Sequence, residues 1–147
     1  MNPLRQKMSP YYRETEYWLI EGPRERLKIE QRREQILHSS PPTISDGMPW
    51  GNEHGDPTAT KAIVLEKLNY KLQWCITIEQ IEQDLANMNE MKSLKLIKLK
   101  RIYGRECKRI ANEMLYSETN ICAMWKELIF YTIMKAAKNS KLNIFFD

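Results

Sequence analysis

The sequence contains few of the residues from which catalytic and metal centres are built. Its 147 residues include only two histidines and three cysteines, and no two cysteines form a Cys-x-x-Cys pair. It has no Cys/His spacing typical of zinc sites, no Ser/His/Asp order and no glycine-rich phosphate loop. We therefore expect no cofactor, no bound metal and no enzymatic activity. The three thiols, Cys75, Cys107 and Cys122, are expected to be buried in a reducing cytoplasm.

A long hydrophobic run is also missing. The longest one, residues 128–134, is too short to cross a bilayer, and the opening MNPLRQKMSP lacks the apolar stretch of a secretory signal. Hydrophobic residues make up 42% of the chain and charged residues 29%, a balance typical of a folded domain rather than of a disordered chain. These features predict a soluble cytoplasmic protein with no membrane partner.

Charge is unevenly distributed along the chain. The net charge is only +4, but residues 92–147 hold 12 basic and 5 acidic side chains, a local net charge of +7, whereas residues 41–91 have a net charge of −5. A basic surface attracts polyanions, of which DNA is the most abundant. The charge pattern favours a nucleic-acid partner for the last third of the chain, although a lysine-rich surface also serves solubility alone.

Hydrophobic periodicity and composition predict an all-α fold in four parts. Residues 1–37 form an aromatic and charged N-terminal helical segment. Residues 38–60 contain four of the seven prolines and three of the five glycines, which predicts a linker. Residues 61–91 form a long amphipathic helix, and residues 92–147 form a basic C-terminal domain.

Glycine and proline also mark helix boundaries within these parts. Gly22 and Pro23 are predicted to end a first N-terminal helix and begin a second, because the missing N–H of proline is not needed at the first position of a helix. Gly104 is predicted to end the first helix of the C-terminal domain, because glycine adopts a positive φ without strain.

The helix predicted over residues 61–91 carries a coiled-coil-like apolar stripe. The stripe residues recur at spacings of three and four with one phase slip, at Leu65, Leu68, Leu72, Cys75, Ile78, Ile81, Leu85 and Met88. Such a stripe can pair with a second copy of the chain to give a homodimer, or it can pack against the N-terminal helices of the same chain. The sequence leaves both arrangements open and slightly favours self-association.

The stretch RIANEMLYSETNI at residues 109–121 predicts two helices that meet at a turn. One face of the first helix is apolar, at Cys107, Ile110, Ala111 and Met114. Ser117 suits the N-cap of the second helix, with its hydroxyl accepting the N–H of residue 119 or 120. The inner face of the second helix is predicted at Ile121, Trp125, Leu128, Ile129 and Thr132. The pattern is typical of a helix-turn-helix, although plain helical hairpins show the same spacing.

In a helix-turn-helix, the start of the second helix touches base edges in the major groove. Its outer face is predicted to comprise Glu118, Thr119, Cys122, Ala123 and Lys126. Thr119 can contact a thymine methyl, and Lys126 can reach a guanine or a phosphate. Ser117 can combine capping with a phosphate contact, because a helix N-terminus favours an anion. The phosphate contacts of the preceding helix are predicted at Arg105, Lys108 and Arg109.

Two stretches of the chain resemble known groups of proteins. RIANEMLYSETNI is similar to the helix-turn-helix in the fourth region of bacterial sigma factors, whose pattern falls here on Ile110, Ala111, Met114, Ser117, Asn120 and Ile121. The N-terminal YYRETEYWLIEGPRERLKIEQRREQIL resembles the opening of the RinA/ArpU-like phage transcriptional regulators, most specifically in RETEYWL at residues 13–19. Through this resemblance Asn120 joins the predicted DNA-contacting residues. It replaces the usual Thr, and Ala123 and Trp125 stand where the family usually has arginines.

The resemblance implies a phage or prophage protein in a bacterial host cell. It would be a sequence-specific DNA-binding transcriptional regulator, expected to activate late genes and to contact host RNA polymerase. One alternative is a phage DNA-packaging component similar to a small terminase subunit, and another is an adaptor whose basic face binds acidic proteins. Terminase subunits form large rings, whereas a regulator is expected as a monomer or dimer. Salt-sensitive binding to a preferred duplex sequence would argue against the adaptor.

Overall fold

The computed structural model describes residues 3–38 and 57–144, and every regular element within these residues is helical. The helices are α1 (Pro3–Met8), α2 (Tyr12–His38), α3 (Pro57–Asn87), α4 (Met91–Tyr103), α5 (Cys107–Met114) and α6 (Glu118–Ala137), with 3₁₀ turns at Ser9–Tyr11 and Ser140–Leu142. The predicted all-α class is confirmed. Most of the linker predicted over residues 38–60 lies outside the described residues.

Helix α2 continues through Pro23 without a break. Because proline has no N–H, the carbonyl of Leu19 loses its donor within the helix. Arg101 of α4 supplies a replacement, since its Nε–H donates to the Leu19 carbonyl over 3.0 Å. Arg24 in turn donates to the Arg101 carbonyl over 2.9 Å. The predicted division into two helices at Gly22 and Pro23 is therefore wrong: a neighbouring helix satisfies the acceptor that proline leaves open.

Helix α3 lies beside α2 and runs in the same direction. The contacts advance together along both helices, at Glu14 with Tyr70, Gly22 with Cys75 and Arg26 with Glu79. Helix α3 spans Pro57–Asn87 rather than the predicted 61–91. Asn89 adopts a left-handed φ of 61° just beyond its end, which separates α3 from α4.

The second half of the predicted apolar stripe is buried within the chain. Four residues of the stripe are at most 4% exposed: Cys75, Ile78, Ile81 and Leu85. Leu68 and Leu72 are half-buried, and Met88 is exposed. The intramolecular alternative therefore holds from Cys75 to Leu85, where the stripe packs within the same chain.

Helix α6 is the central element of the hydrophobic core and contacts each of the other five helices. The Trp125 indole N–H donates to Glu16 of α2 over 2.7 Å. The Lys135 ammonium bonds Asp84 of α3 over 2.7 Å. Gly104 ends α4 with a φ of 61°, as predicted. Helix α6 therefore contacts α2 through Trp125 and α3 through Lys135, while its first residues lie at the surface.

Candidate nucleic-acid interface

A three-residue turn connects α5 to α6. Leu115, the first residue after α5, adopts the left-handed conformation with φ 61° and ψ 40°, and its side chain is 89% exposed. The Tyr116 N–H donates to the Ala111 carbonyl over 3.0 Å, which closes the end of α5. Ser117 is extended, and its Oγ accepts the N–H of Asn120 over 3.1 Å. The predicted N-cap is confirmed, and it fixes where α6 begins.

The inner face of α6 is buried as predicted. All five predicted residues lie in the core: Ile121, Trp125, Leu128, Ile129 and Thr132. Ile110 and Ala111 of α5 are 0% and 3% exposed and belong to the same core. The small Ala111 side chain allows the two helices to approach closely. Apolar packing therefore holds α5 against α6, and the bond from Trp125 to Glu16 holds α6 against α2.

The outer face at the start of α6 is exposed. We call it the reader surface, and it comprises Ser117, Glu118, Thr119, Asn120, Cys122, Ala123 and Lys126. Beyond Lys126 the surface of α6 becomes mostly apolar. Phe130 is only 7% exposed, because Tyr12 packs edge-on at a centroid distance of 5.8 Å and the Arg5 guanidinium lies 5.0 Å from the ring centre. Tyr131 and Met134 are 39% and 38% exposed. The polar outer face therefore covers about the first three turns of α6.

The predicted phosphate-contacting residues surround one surface depression. We call this the basic depression: it has a volume of about 530 Å³ and is lined by Arg105, Glu106, Cys107, Lys108, Arg109, Asn112 and Glu118. The Arg109 guanidinium stacks 4.4 Å from the centre of the Tyr103 ring, and the Tyr103 O–H donates to Glu113 over 2.6 Å. That bond raises the pKa of Tyr103. The stack holds Arg109 in a fixed direction at the surface.

The N-terminal segment adds a residue to this basic surface. Arg13 and Arg105 line a smaller depression of about 310 Å³, together with Glu16, Tyr17, Ile20 and Glu21. Sequence reasoning missed Arg13, because nothing in the sequence indicates that α2 lies beside the α4–α5 connection. It also missed Asn112, which the helical period does place opposite the buried face of α5.

The structure does not bring all the predicted contact residues together. Glu118 lies in the basic depression, whereas Lys126 is about 12 Å further along the axis of α6. Ala123 lines a separate apolar groove of about 560 Å³, whose other residues include Leu85, Met124 and Tyr131. The reader surface therefore has a polar side and an apolar edge.

The expectation that all three thiols are buried is wrong for two of them. Cys75 is buried, Cys107 is partly exposed and Cys122 is exposed. Partial burial and the neighbouring Cys107 thiol raise the pKa of the Cys122 thiol. Both thiols lie at the surface because they occupy the first turns of α5 and α6.

Comparison with protein-family models, with curated proteins and with solved structures found no match. The described residues contain no cluster of three or more metal-ligating side chains. In the same part of the chain, no helix has the length and hydrophobicity needed to span a bilayer. The main feature of the candidate interface is therefore geometric: the exposed start of α6 lies beside a group of cationic side chains.

Proposed function

We propose that this chain is a sequence-specific DNA-binding transcriptional regulator of the RinA/ArpU-like phage type. It reads duplex DNA with the reader surface and holds the phosphate backbone with the basic depression. One observation carries the proposal. The first three turns of α6 have one face in the core and the other face made of exposed polar or small side chains, directly after a capped turn.

The reader surface has suitable dimensions and chemistry for the major groove. The groove of B-DNA is about 12 Å wide and admits one α-helix. Lys126 can donate to guanine, Thr119 can touch a thymine methyl, and Glu118 can accept from the amino group of cytosine. Each well-formed base contact contributes about 1–3 kcal/mol of discrimination against a wrong base. Two or three such contacts are enough for a preferred sequence.

The basic depression supplies the backbone contacts. Arg105, Lys108 and Arg109 are all exposed and lie within one depression next to the start of α6. Arg109 forms one ion pair, a 3.9 Å contact with Glu106 in which both side chains are more than 60% exposed. Such an exposed pair contributes little, so a phosphate can replace the carboxylate. These contacts position the reader surface without specifying sequence.

Selection from a randomised duplex library, followed by fluorescence anisotropy at several salt concentrations, tests the proposal. Lys126→Ala should weaken binding to the selected sequence by about tenfold or more and binding to a scrambled duplex much less. Arg109→Ala should weaken both and lower the salt slope by about 1. Lys138→Ala is the matched control, because this exposed lysine lies about 18 Å from Lys126 along α6. It should leave both affinities unchanged.

Equal losses for Lys126→Ala and Arg109→Ala on every sequence would contradict direct readout by α6. Failure to select any preferred duplex would contradict sequence-specific regulation altogether. Sedimentation of the full chain addresses the packaging alternative, because a large ring would favour a terminase-like component over a regulator.

A further inference from the structure

Lys100 is a buried cation without a carboxylate partner in the part of the chain that the structure describes. It is 5% exposed, and none of the ion pairs among the described residues includes it. Its ammonium lies 3.5 Å from the Cys107 Sγ and 5.1 Å from the centre of the Trp125 ring. A buried ammonium is costly unless it is paired, so its position beside a sulfur calls for an explanation.

The surroundings of Cys107 are those of a reactive thiol. Reactive cysteines lie in electropositive, partly exposed places, and often at helix N-termini. Cys107 is the first residue of α5, is partly exposed, and opens into the basic depression beside Arg105 and Lys108. Cys122 of α6 is a neighbour of Cys107, which raises the pKa of the Cys122 thiol after the larger effect of burial. Cys75 is buried against the Gly22 carbonyl, away from this pair.

We propose that Cys107 and Cys122 form a peroxide-oxidisable dithiol beside the Lys100 ammonium. The Cys107 sulfur attacks one oxygen of hydrogen peroxide, so that an S–O bond forms, the O–O bond breaks, and the hydroxide that leaves takes up the thiol proton to give water. The Cys122 sulfur then attacks the Cys107 sulfenic acid, the S–S bond forms, and the S–O bond breaks with loss of a second water. Two thiols and one peroxide give one disulfide and two waters.

The two thiols have different roles in this sequence. Burial and the neighbouring Cys107 raise the pKa of Cys122, although Lys100 opposes that change. We assign Cys122 the second step, in which it attacks the sulfenic acid formed on Cys107. The resulting disulfide joins the first turn of α5 to the first turns of α6.

Thiol counting and peptide mapping on the full chain test the site itself. An equimolar amount of hydrogen peroxide should remove two of the three thiols and lower the mass of the monomer by about 2 Da through a 107–122 link. Cys75→Ser should form the same link, and Cys122→Ser should stop at the sulfenic acid. Lys100→Met keeps the buried chain but removes the charge. It should slow oxidation, because the reacting sulfur loses the positive charge that lies 3.5 Å from it.

Two results would overturn the dithiol. One is oxidation of Cys122 alone, with dimers linked between chains. The other is an oxidation rate unaffected by Lys100→Met in a variant whose circular dichroism matches the wild type.

The effect on DNA rests on the proposed function and is measured separately. The bridge would join a residue that lines the basic depression to a residue of the reader surface. We expect the oxidised protein to bind its selected duplex about 10-fold more weakly, equivalent to one lost base contact. A dithiol reductant should restore binding. A bridge that forms while affinity stays unchanged would refute the regulatory role. A bridge in a protein that binds no DNA in either state would refute the proposed function and leave the thiol chemistry standing.

Discussion

The bond from Arg101 to the Leu19 carbonyl should contribute most to the free energy of unfolding when residue 23 is proline. Arg101→Met removes the donor from a carbonyl whose residue is fully buried, which costs about 1–3 kcal/mol. It also breaks the ion pair with Glu82, whose side chain is 30% exposed, at a cost of about 0.5–1 kcal/mol. We expect the free energy of unfolding to fall by about 2–3 kcal/mol.

Pro23→Ala changes the outcome of that substitution. Alanine restores an N–H four residues after Leu19, so the carbonyl regains a donor within α2. Replacing an interior helix proline with alanine should itself stabilise the chain by about 1–3 kcal/mol. In the Pro23→Ala background, Arg101→Met should cost only about 1 kcal/mol, mainly from the lost ion pair with Glu82. The two substitutions should therefore be coupled by about 1–2 kcal/mol.

Urea denaturation of the four proteins, followed by far-ultraviolet circular dichroism, measures this coupling. Arg32→Met is the matched control, because Arg32 is exposed on the same helix as Pro23 and should change the free energy of unfolding by less than about 0.5 kcal/mol. If the two single effects add to the double effect within about 0.5 kcal/mol, Arg101 does not compensate for Pro23 and our account of the unbroken helix fails.

Three further predictions concern other parts of the chain, and a fourth concerns pH. Gly104→Ala should destabilise the fold by about 1–3 kcal/mol, because alanine is strained at a φ of 61° even though no atom lies within 4 Å of the new Cβ. Leu115→Gly should stabilise it by up to about 1 kcal/mol in the same denaturation assay, because the leucine is left-handed and exposed. Trp125→Ala should cost about 3–5 kcal/mol, and Trp125→Phe, which loses mainly the bond to Glu16, about 1–2 kcal/mol. Burial raises the pKa of Cys75 from 9.0 to about 11. The protonated thiol therefore contributes fully to the free energy of unfolding below pH 9, and this contribution is lost as pH rises towards 11. A pH series comparing the wild type with Cys75→Ala should show this loss only in the wild type.

The parts of the fold that local chemistry determines could be predicted from the sequence. The Ser117 cap, the Gly104 helix end and the buried face of α6 follow from capping, positive φ and helical period. Each depends on residues within a few positions of one another, so a local pattern is sufficient evidence for it.

The features that distant segments create could not be predicted in this way. The sequence predicts a helix boundary at Pro23, because it does not show that Arg101 donates to the Leu19 carbonyl. The sequence predicts that Lys100 is exposed like its neighbouring lysines, but Cys107 of α5 and Trp125 of α6 lie against it. Arg13 gains its place beside Arg105 only through packing of α2 against the α4–α5 connection. In each case the deciding neighbour is far away in sequence.

The covering of Phe130 by Tyr12 and Arg5 has a practical consequence for anyone who alters the amino end of the chain. Deleting α1 and the turn after it would remove Arg5 from the face of the Phe130 ring, one turn beyond Lys126, and leave only Tyr12 against it. The shortened protein would expose more apolar surface next to its proposed DNA contacts. Binding data from such a truncation would mix aggregation with affinity. Shortened versions for binding work should therefore be trimmed elsewhere.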